Sequence, residues 1–463
     1  MNILPQDPEI FGKVLEICRL VNDHGGKAYM VGGSVRDSLL GLTIRDFDLE
    51  IFNIPPSELL NLIKEHFSVN LVGKAFGVIK LNHYPIDLSL PRKEVKAGKK
   101  HNEFLISSDE NMSPDQASRR RDFTINSILY DPIQEQILDP LNGTVDLDNK
   151  ILRHCSDQFS EDPLRALRGM KFSSIFDLKP TEETRQLVST IDLNPLSKSR
   201  IYEEWKQTMV RSTKPSTGMN YLDETNLIRF YPELAKMKGC PQDAVYHPEG
   251  DVWTHTLLCL DAFVKFRPNE QKEAAIAGLA VLCHDMGKPN TTVIHDTGRI
   301  SSKRHEIFSE HEGRKFLDRI TDNRSVIEAV LPLVKCHMIP YQLFVNNNPA
   351  ASVRKLALKT GNIQLMSVVV ASDRNGRGGE FMEHVPEAEY LINKARELEV
   401  LNSKPQPIIQ GRHLIEFGYS PGRYFKEILN DCFDAQLNGD FFDLENGKKY
   451  LKSALNRVNS IQS

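Results

Sequence analysis

Two adjacent glycines, placed between an apolar run and an alternating stretch of aspartates, constrain this chain more than any other feature. The apolar residues lead into Gly32-Gly33, and Ser34 opens a short helical pattern. This order predicts a buried strand, a turn tight enough to need glycine, and a helix that begins at the turn. Such a turn favours an anion, because free backbone N–H groups and the positive end of the helix face the same place.

Two carboxylates follow at positions that one face of a strand would share. Asp46 and Asp48 are two residues apart, whereas Phe47 and Leu49 would point to the opposite face. Carboxylates on one rigid face repel each other unless a cation lies between them, and Mg²⁺ prefers oxygen ligands that it shares with substrate phosphates. The alternative is a glycine turn followed by two surface aspartates. The combination predicts a metal and phosphate site.

The order GGxVRD followed by DxD resembles the signature of the nucleotidyltransferases related to DNA polymerase β, specifically the family of tRNA nucleotidyltransferases and bacterial poly(A) polymerases. The resemblance implies that Asp46 and Asp48 are catalytic and hold Mg²⁺, and that Gly33 and Arg36 bind a triphosphate. Asp87 alternates with apolar residues in a strand predicted over 85–90. It is either a third catalytic carboxylate or a solvated strand residue.

Residues 91–121 carry eight lysines and arginines against five carboxylates, with little periodicity. We predict a mobile basic loop, which is solvated by default and could close over a triphosphate or an RNA end. The run RRDFTIN at 120–126 is embedded in the ordered segment that follows, and it resembles a motif of the same family. That resemblance implies that Arg121 contacts the nucleotide and that Asp122 positions it.

A third motif begins at Glu161-Asp162-Pro163, where Asp162, Arg165 and Arg168 recur three residues apart and would form one stripe of a helix. A surface salt bridge is the plain structural interpretation. A carboxylate beside a guanidinium also matches the edges of adenine and cytosine, whereas guanine and uracil would leave buried groups unpaired at about 1–3 kcal/mol each. The motif resembles that of the class II enzymes of the family. This implies that Asp162 and Arg165 read the base and that Arg168 contacts the nucleotide or supports that edge.

A later helical pattern over 197–210 resembles the next helix of the same family, in which Arg200 and Glu203 or Glu204 brace the base-reading residues. Ser199 stands where an acidic residue is common, so the detail of the bracing stays open. Together these patterns predict a helical neck behind the head.

Histidines and carboxylates recur between residues 247 and 373 in the order His, His-Asp, Asp. A single buried histidine is usually a satisfied core residue. Imidazoles and carboxylates from several helices are, however, what a divalent-metal phosphohydrolase uses to activate water. The set resembles the HD domain, for which we expect a transition divalent ion (Ni²⁺, Mn²⁺ or Zn²⁺). The implied ligands of one metal are His255, His284, Asp285 and Asp373, with His305 and His337 completing a second site or binding phosphate.

The composition limits the expected cellular compartment and the ways in which the chain could bind nucleic acid. The 463 residues are 40% hydrophobic and 26% charged with a net charge of −4, so nucleic acid would bind through local basic patches. Seven scattered cysteines without a CxxC pair predict reduced thiols. No apolar run approaches the length of a membrane span. We expect a cytoplasmic protein without membrane association.

The sequence patterns predict an α+β fold, and the resemblance implies a small mixed-sheet, polymerase-β-like nucleotidyltransferase head followed by all-helical neck, HD and tail domains. The expected boundaries are 1–135 for the head, 136–228 for the neck with the base-reading helix, 229–390 for an HD phosphohydrolase-like domain and 391–463 for the tail. The tail is expected either to bind RNA or to serve as a plain helical cap.

The function that the resemblance implies is template-independent addition of CCA to tRNA 3′ ends from CTP and ATP, with the tRNA acceptor arm as partner. An A-adding enzyme or poly(A) polymerase on the same scaffold is the nearest alternative, and the full-length segment 91–118 disfavours a CC-only enzyme. From other classes, the chain could act mainly as an HD phosphohydrolase (a phosphatase or 2′,3′-cyclic phosphodiesterase) or as a nucleotide-sensing RNA-binding protein. A homodimer is left open.

Overall fold

The computed structural model describes residues 7–44, 46–70, 78–96, 104–109, 111–346 and 350–462. They divide into two compact units. The first comprises residues 1–200 and 217–227, and the second comprises 201–216 and 228–463. No described helix is both long enough and apolar enough to cross a membrane. The α+β prediction is confirmed, because a mixed sheet occupies the head and helices dominate the remainder.

In the first unit, a seven-stranded sheet of described residues has the strand order β3-β4-β5-β2-β1-β8-β9. Strands β2 and β5 pair in parallel and the other neighbours are antiparallel. The strands are β1 (Lys27–Val31), β2 (Phe47–Phe52), β3 (Val69–Asn70), β4 (Val78–Leu81), β5 (Ile86–Ser89), β8 (Leu129–Asp131) and β9 (Gln136–Leu138), with the separate pairs β6 (Arg92–Lys96) and β7 (Phe104–Ser108), and β10 (Ile151–Leu152) and β11 (Lys179–Pro180).

The sheet is packed on both faces, because β1 buries Ala28 and Met30 on one side and Tyr29 and Val31, with Met112 and Ala117, on the other. Leu49 and Ile51 of β2 are fully buried in a cluster with Val14 and Ile17 of the first helix, which leaves Asp48 on the opposite face. The helices are α1 (Pro8–Asp23), α2 (Gly33–Leu39), α3 (Pro56–His66), α4 (Pro114–Arg119), α5 (Gly143–Asp148), α6 (Leu164–Phe176) and α7 (Glu182–Ser189), with 3₁₀ turns at Thr124–Asn126 and Asp157–Glu161.

The prediction of an irregular loop throughout 91–121 was wrong. Strands β6 and β7 pair antiparallel, with Arg92 opposite Ser108 and Lys96 opposite Phe104. Helix α4 follows, and Ser113 and Gln116 form a capping box at its start. A two-stranded hairpin is held by backbone hydrogen bonds, so it needs no hydrophobic periodicity that the sequence would reveal. Residues 97–103 of the predicted basic loop, which include Lys99 and Lys100, lie outside the described residues.

The second unit is helical apart from one short hairpin. Helices α8 (Lys198–Arg211) and α9 (Pro215–Glu224) belong to both units by residue range. The remaining elements are α10 (Pro232–Ala235), α11 (Val252–Phe266), α12 (Gln271–Cys283), α13 (Lys288–Thr291), β12 (Thr292–Ile294), β13 (Ile300–Ser302), α14 (His305–Ile320), α15 (Arg324–Cys336), α16 (Ile339–Val345), α17 (Ala350–Thr360), α18 (Ile363–Asn375), α19 (Pro386–Glu397), α20 (Gly411–Glu416), α21 (Arg423–Asn438) and α22 (Leu444–Gln462), with a 3₁₀ turn at Leu227–Phe230.

The tail has a buried core of its own. Leu414 of α20, Ile428 of α21 and Leu451 of α22 are at most 4% exposed and belong to one hydrophobic cluster. The three helices therefore pack on one another, as a helical cap would.

Candidate active sites

The glycine turn lies directly beside a carboxylate and a guanidinium. Gly32 ends β1 with a φ of +68°, a conformation that side chains other than glycine rarely adopt. A Cβ atom on Gly32 would lie 3.4 Å from Nη1 of Arg121 and 3.9 Å from Oδ2 of Asp48. Ser34 Oγ donates a 2.8 Å hydrogen bond to the carbonyl of Val31, which fixes the turn. The predicted strand, turn and helix are therefore confirmed, and the turn adjoins the predicted carboxylates.

The carboxylates gather at one end of β2. Asp46 immediately precedes the strand, and Asp48 is paired in register with Asp87 of β5. The loss of hydration around the Asp48 carboxylate raises its pKa, although the residue keeps contact with solvent. The charge of Arg121 lowers this pKa, and the charges of Asp87 and Asp46 raise it further. Such mutual repulsion is what a bound divalent cation would relieve. This donor set therefore fits a divalent metal ion.

Two partners of this cluster escaped the sequence interpretation. Lys80 of β4 forms a 2.5 Å ion pair with Asp87, and Arg121 donates a 2.9 Å hydrogen bond to Glu50. Glu50 continues the spacing of two residues that begins at Asp46 and Asp48. Extending this pattern by one more position in the sequence would have found it. No pattern within β4 points to Lys80, because it reaches Asp87 through the pairing of two strands.

Asp122 is buried and held by three donors. It accepts hydrogen bonds from the backbone N–H of Phe123 (2.8 Å), from Asn126 Nδ2 (2.9 Å) and from Arg168 Nε (2.6 Å). Burial alone would raise the pKa of this carboxyl, but the Arg168 charge and the hydrogen bonds lower it to about 2. Arg168 thus contacts the RRDFTIN segment instead of pointing along a free helix face.

The side chains of Asp162 and Arg165 in the EDxxR motif are held by different partners. Helix α6 begins at Leu164, so Asp162 lies two residues before the helix, and its Oδ1 accepts a 3.0 Å hydrogen bond from the backbone N–H of Leu164. The prediction that Asp162 stands on the helix was therefore wrong, because Pro163 separates it from the first helical residue. Asp162 Oδ2 accepts a 2.8 Å hydrogen bond from Arg200, which confirms the predicted contact of that bracing residue. Arg165 donates to the backbone carbonyls of Gln158 and Arg120, at 2.9 and 2.8 Å.

A cavity lies beside Arg165 of this motif. Its volume is about 320 Å³, and Arg165 lines it together with Arg121 and Glu50. Arg120 and the apolar residues Leu90 and Met112 complete much of the wall. Because Glu50 lies two residues after Asp48, the structure brings the predicted base-reading arginine and the predicted metal carboxylates to one region of the first unit.

Arg36 has contacts different from the predicted ones. The residue is 5% exposed, and its guanidinium pairs with Asp37 at 2.6 Å and donates to Asn126 Oδ1. It also lies 4.4 Å from the ring centroid of Phe176 on α6. These contacts enclose the side chain between the turn and α6, where it supports the turn from behind. Sequence alone could not show this, because Phe176 is distant along the chain.

A second centre lies in the second unit, where the predicted histidines and aspartates converge from several helices. Asp285 is central. Its Oδ2 lies 3.6 Å from His255 Nε2 and 3.3 Å from His284 Nε2, and its Oδ1 lies 3.2 Å from His305 Nε2 and 3.9 Å from His337 Nε2. His255 Nε2 is also 3.2 Å from Asp373 Oδ1. All six predicted residues are thus brought together.

The imidazole rings are turned so that the same nitrogen faces inward. The Nδ1 atoms of His284, His305 and His337 lie 2.7–2.8 Å from the backbone carbonyls of Val281, Ser302 and Val334, respectively. His255 Nδ1 lies 2.7 Å from Glu249 Oε1. Such outer contacts fix the tautomer of metal-binding histidines. His284 Nε2 is buried and faces Asp285 Oδ2 at 3.3 Å. This donor set fits one or two divalent ions.

Two residues of this centre were not predicted. Glu249 accepts from His247 at 2.9 Å as well as contacting His255, and the two rings together with the backbone lower its pKa to about 2 against the effect of burial. Lys288 lies 2.7 Å from Asp285 Oδ2, one helical turn away. A cavity of about 290 Å³ opens onto Asp285, His305 and Asp373, and Lys288 lines it too.

Comparison with known proteins agrees with these sites. Residues 28–153 match the model of the poly(A) polymerase head domain. The multifunctional CCA protein of Xylella fastidiosa strain 9a5c is 35% identical over 273 residues, which cover 57% of this chain and 63% of that protein. The chain thus spans less than two thirds of the length of that relative. The corresponding protein of strain M23 is 30% identical over 380 residues, covering 79% of this chain and 88% of the relative.

Solved structures share the fold. The CCA-adding enzyme of Bacillus stearothermophilus in complex with CTP superposes with a TM-score of 0.66 at 19% identity, covering 99% of this chain and 100% of that one. The Thermotoga maritima CCA-adding enzyme complexed with tRNA_CCA has a TM-score of 0.58 at 20% identity and covers 97% of both chains. The extent of the match to the strain M23 protein, together with the head-domain match, shows that this chain belongs to the family of bacterial class II CCA-adding enzymes, the multifunctional CCA proteins.

Proposed function

We propose that the chain adds C, C and A without a template to the 3′ ends of tRNA, using CTP, ATP and Mg²⁺. One observation carries the proposal: Asp48, with Asp46 and Asp87 beside it, adjoins both the Gly32 turn and Arg121. The relatives are CCA proteins, and the solved neighbours include complexes with CTP, ATP and tRNA.

The acidic cluster would hold the metal. Mg²⁺, when bound, activates the primer 3′-hydroxyl and stabilises the departing pyrophosphate. Asp46 and Asp48 are its ligands, and Asp87 is the third carboxylate, kept beside them by strand pairing and by Lys80. The N–H groups at Gly33 and the guanidinium of Arg121 face the phosphates.

Base selection would rest on Asp162 and Arg165. The carboxylate accepts from the exocyclic amine of cytosine or adenine, and the guanidinium donates to the neighbouring ring nitrogen. Arg200 orients Asp162 through its 2.8 Å hydrogen bond. Asp122 and Arg168 position the segment that carries Arg121, and Arg36 supports the turn. Arg36 is also kept as a proposed contact of the triphosphate, since its guanidinium lies beside Gly33.

Stepwise incorporation tests this function and separates its rivals. Three tRNA transcripts are used, which end before the first C of the CCA sequence, after the first C and after the second C. Each is incubated with one labelled nucleotide. We expect C on the first two, A on the third, and no extension after A. Repeated A addition would indicate a poly(A) polymerase, and arrest after two C residues a CC-adding enzyme.

The active-site assignment is tested with a matched pair of variants. Asp48→Asn should lower incorporation by about a thousandfold or more, because a metal ligand is lost. Asp115→Asn removes an exposed carboxylate of α4 and should leave the rate unchanged. Normal incorporation by the Asp48 variant would refute the assignment.

A second activity is proposed for the histidine centre, namely metal-dependent hydrolysis of phosphate esters. The observation that favours it is the inward orientation of four Nε2 atoms around Asp285. The proposed ligands are His255, His284, Asp285 and Asp373 for one ion and His305 and His337, with Asp285 shared, for a second. A transition divalent ion (Ni²⁺, Mn²⁺ or Zn²⁺) suits imidazole donors.

Hydrolysis of a small phosphate ester after loading with each ion tests this second activity. His337→Asn should abolish it and leave CCA addition intact. His311→Asn, on the exposed face of α14, is the control. Equal hydrolysis by both variants would refute the centre.

We further propose that the chain functions as four domains with boundaries near 135, 228 and 390. The two compact units are compatible with this, since the first contains the proposed head and most of the proposed neck. The tail would meet the tRNA acceptor arm through its shape and phosphates.

A further inference from the structure

Two charged side chains, Arg377 and Glu387, line the cavity beside the histidine centre in addition to the proposed metal ligands. Arg377 lies four residues after Asp373, just beyond the end of α18, and Glu387 is in the first turn of α19. Both belong to the wall of the cavity of about 290 Å³ that Asp285 and Asp373 also line. They therefore lie where a substrate of the proposed hydrolase would bind.

The guanidinium of Arg377 has donors to offer. Its Nη2 lies 3.6 Å from Asp373 Oδ2, which is an ion pair longer than a hydrogen bond. Its Nε is buried and has no hydrogen-bond partner among the described residues, and the side chain as a whole is 28% exposed. A guanidinium carries five N–H donors in a planar fork that matches phosphate oxygens. Arg377 is therefore suited to hold a phosphate next to a proposed metal ligand.

Glu387 offers the complementary group, an acceptor. The residue is only 7% exposed, and its Oε2 is buried without a hydrogen-bond partner in the described part of the chain. Buried polar groups are normally paired, and an ionised carboxylate can only accept hydrogen bonds. A ligand that extends from Arg377 to Glu387 should therefore bring a donor. The alcohol part of a phosphate ester carries such a donor when it is a polyol.

We propose that this cavity binds phosphate esters of polyols, with the phosphate on Arg377 and a hydroxyl group of the alcohol part on Glu387. The inference rests on the proposal that the histidine centre hydrolyses phosphate esters, and it names the class of ester. Since Arg377 contacts Asp373, a phosphate on its guanidinium lies beside the metal position. An ester without a further hydroxyl group would use Arg377 alone and leave Glu387 unpaired.

Binding of two matched phosphonates tests the assignment, because the carbon–phosphorus bond resists hydrolysis. Butylphosphonate and 3,4-dihydroxybutylphosphonate share one carbon chain and differ only in two hydroxyl groups. Each is titrated by calorimetry into the full-length chain loaded with Mn²⁺. We expect the dihydroxy compound to bind about tenfold more tightly, which is the effect of one hydrogen bond to a charged group.

Variants assign this binding to the two side chains. Arg377→Gln should weaken the binding of both compounds about tenfold, and Arg377→Lys, which keeps the charge without the fork, should recover part of the loss. Glu387→Met removes the acceptor and should abolish the preference for the dihydroxy compound. Arg396→Gln and Glu397→Met, two exposed positions of α19, are the controls and should leave both affinities unchanged.

The outcomes separate this inference from the proposed hydrolysis. Failure of the unaltered chain to bind either compound, equal affinities for the two, or unaltered binding by Arg377→Gln would overturn the inference even where phosphate esters are hydrolysed. A dihydroxy preference that survives in Glu387→Met would overturn it as well. Binding in the expected order by a metal-loaded chain that hydrolyses no phosphate ester would instead overturn the proposed activity and leave the ligand class standing.

Discussion

Arg121 donates a 2.9 Å hydrogen bond to Glu50, two residues after Asp48 on the same strand face. Arg121 thus interacts with two carboxylates, Glu50, which has no proposed catalytic role, and Asp48, which is proposed to bind Mg²⁺. Glu50 keeps the guanidinium from neutralising Asp48.

Replacing Glu50 by Gln should therefore raise the Mg²⁺ requirement. A guanidinium without its partner would act more strongly on Asp48, one of the carboxylates within its electrostatic reach, and compete with the metal. We expect the Mg²⁺ concentration for half-maximal incorporation to rise about tenfold, since a charged hydrogen bond contributes about 1.5 kcal/mol or more. The exposed variant Glu58→Gln is the control, and equal Mg²⁺ curves for the two would contradict the explanation.

Removing the brace of Asp162 should relax base selection. In Arg200→Ala the carboxylate loses its 2.8 Å contact and is no longer held for the amine of cytosine or adenine. The preference for CTP over UTP, measured as the ratio of kcat/KM values, should fall about tenfold, as expected for about 1–1.5 kcal/mol of hydrogen-bond energy. Arg185→Ala, which breaks an exposed pair with Glu182, should not change the ratio.

Stability should depend on pH through Asp122. Its pKa in the folded protein is about 2, below the ordinary 3.8, so its stabilisation is complete above pH about 4 and is lost as the pH falls toward 2. A depression of nearly two units corresponds to roughly 2 kcal/mol. Urea denaturation followed by circular dichroism should show Asp122→Asn less stable at pH 7 and nearly equal to the unaltered chain near pH 2. A constant difference at every pH would contradict the assignment, and Asp115→Asn is the exposed control.

A tight backbone approach predicts an intolerant glycine. A Cβ atom on Gly143 would lie 2.0 Å from the carbonyl oxygen of Thr124, so Gly143→Ala must displace the 3₁₀ turn that follows Phe123. Overpacking of this kind costs about 1–3 kcal/mol. Gly12 of α1 has open space around it, and Gly12→Ala should stabilise the helix by about 0.5–1 kcal/mol. Thermal denaturation of both variants measures the contrast, and a neutral Gly143 variant would refute the predicted clash.

Local patterns predicted what depends on neighbouring residues in the chain. The glycine turn and the alternation around Asp48 follow from short-range periodicity and backbone preference. The resemblance to a known family added the pairing of distant motifs. The hydrogen bond between Asp162 and Arg200 is one contact that this resemblance anticipated.

Contacts that are made by tertiary packing escaped prediction. Arg36 is predicted to bind phosphate because of its place after the turn, and this stays a prediction, whereas its contacts with Asn126 and Phe176 escaped the sequence. Cys259 was one of seven scattered cysteines until the helix and Asp373 placed its sulfur beside a histidine. Asn126, Phe176 and Asp373 come from other elements, whose arrangement no local pattern encodes, whereas His255 lies one turn before Cys259 on the same helix.

Helix α6 links two tasks that a nucleotide-handling protein could have kept separate. Its first turn carries Arg165 at the cavity, and its last residue, Phe176, covers the guanidinium of Arg36 behind the glycine turn. A tilt of helix α6 would therefore move the proposed base-reading arginine and the support of the glycine turn together. Substitutions that change the nucleotide preference would therefore lower turnover as well, unless they alter only the first turn of α6 and leave the position of the helix unchanged.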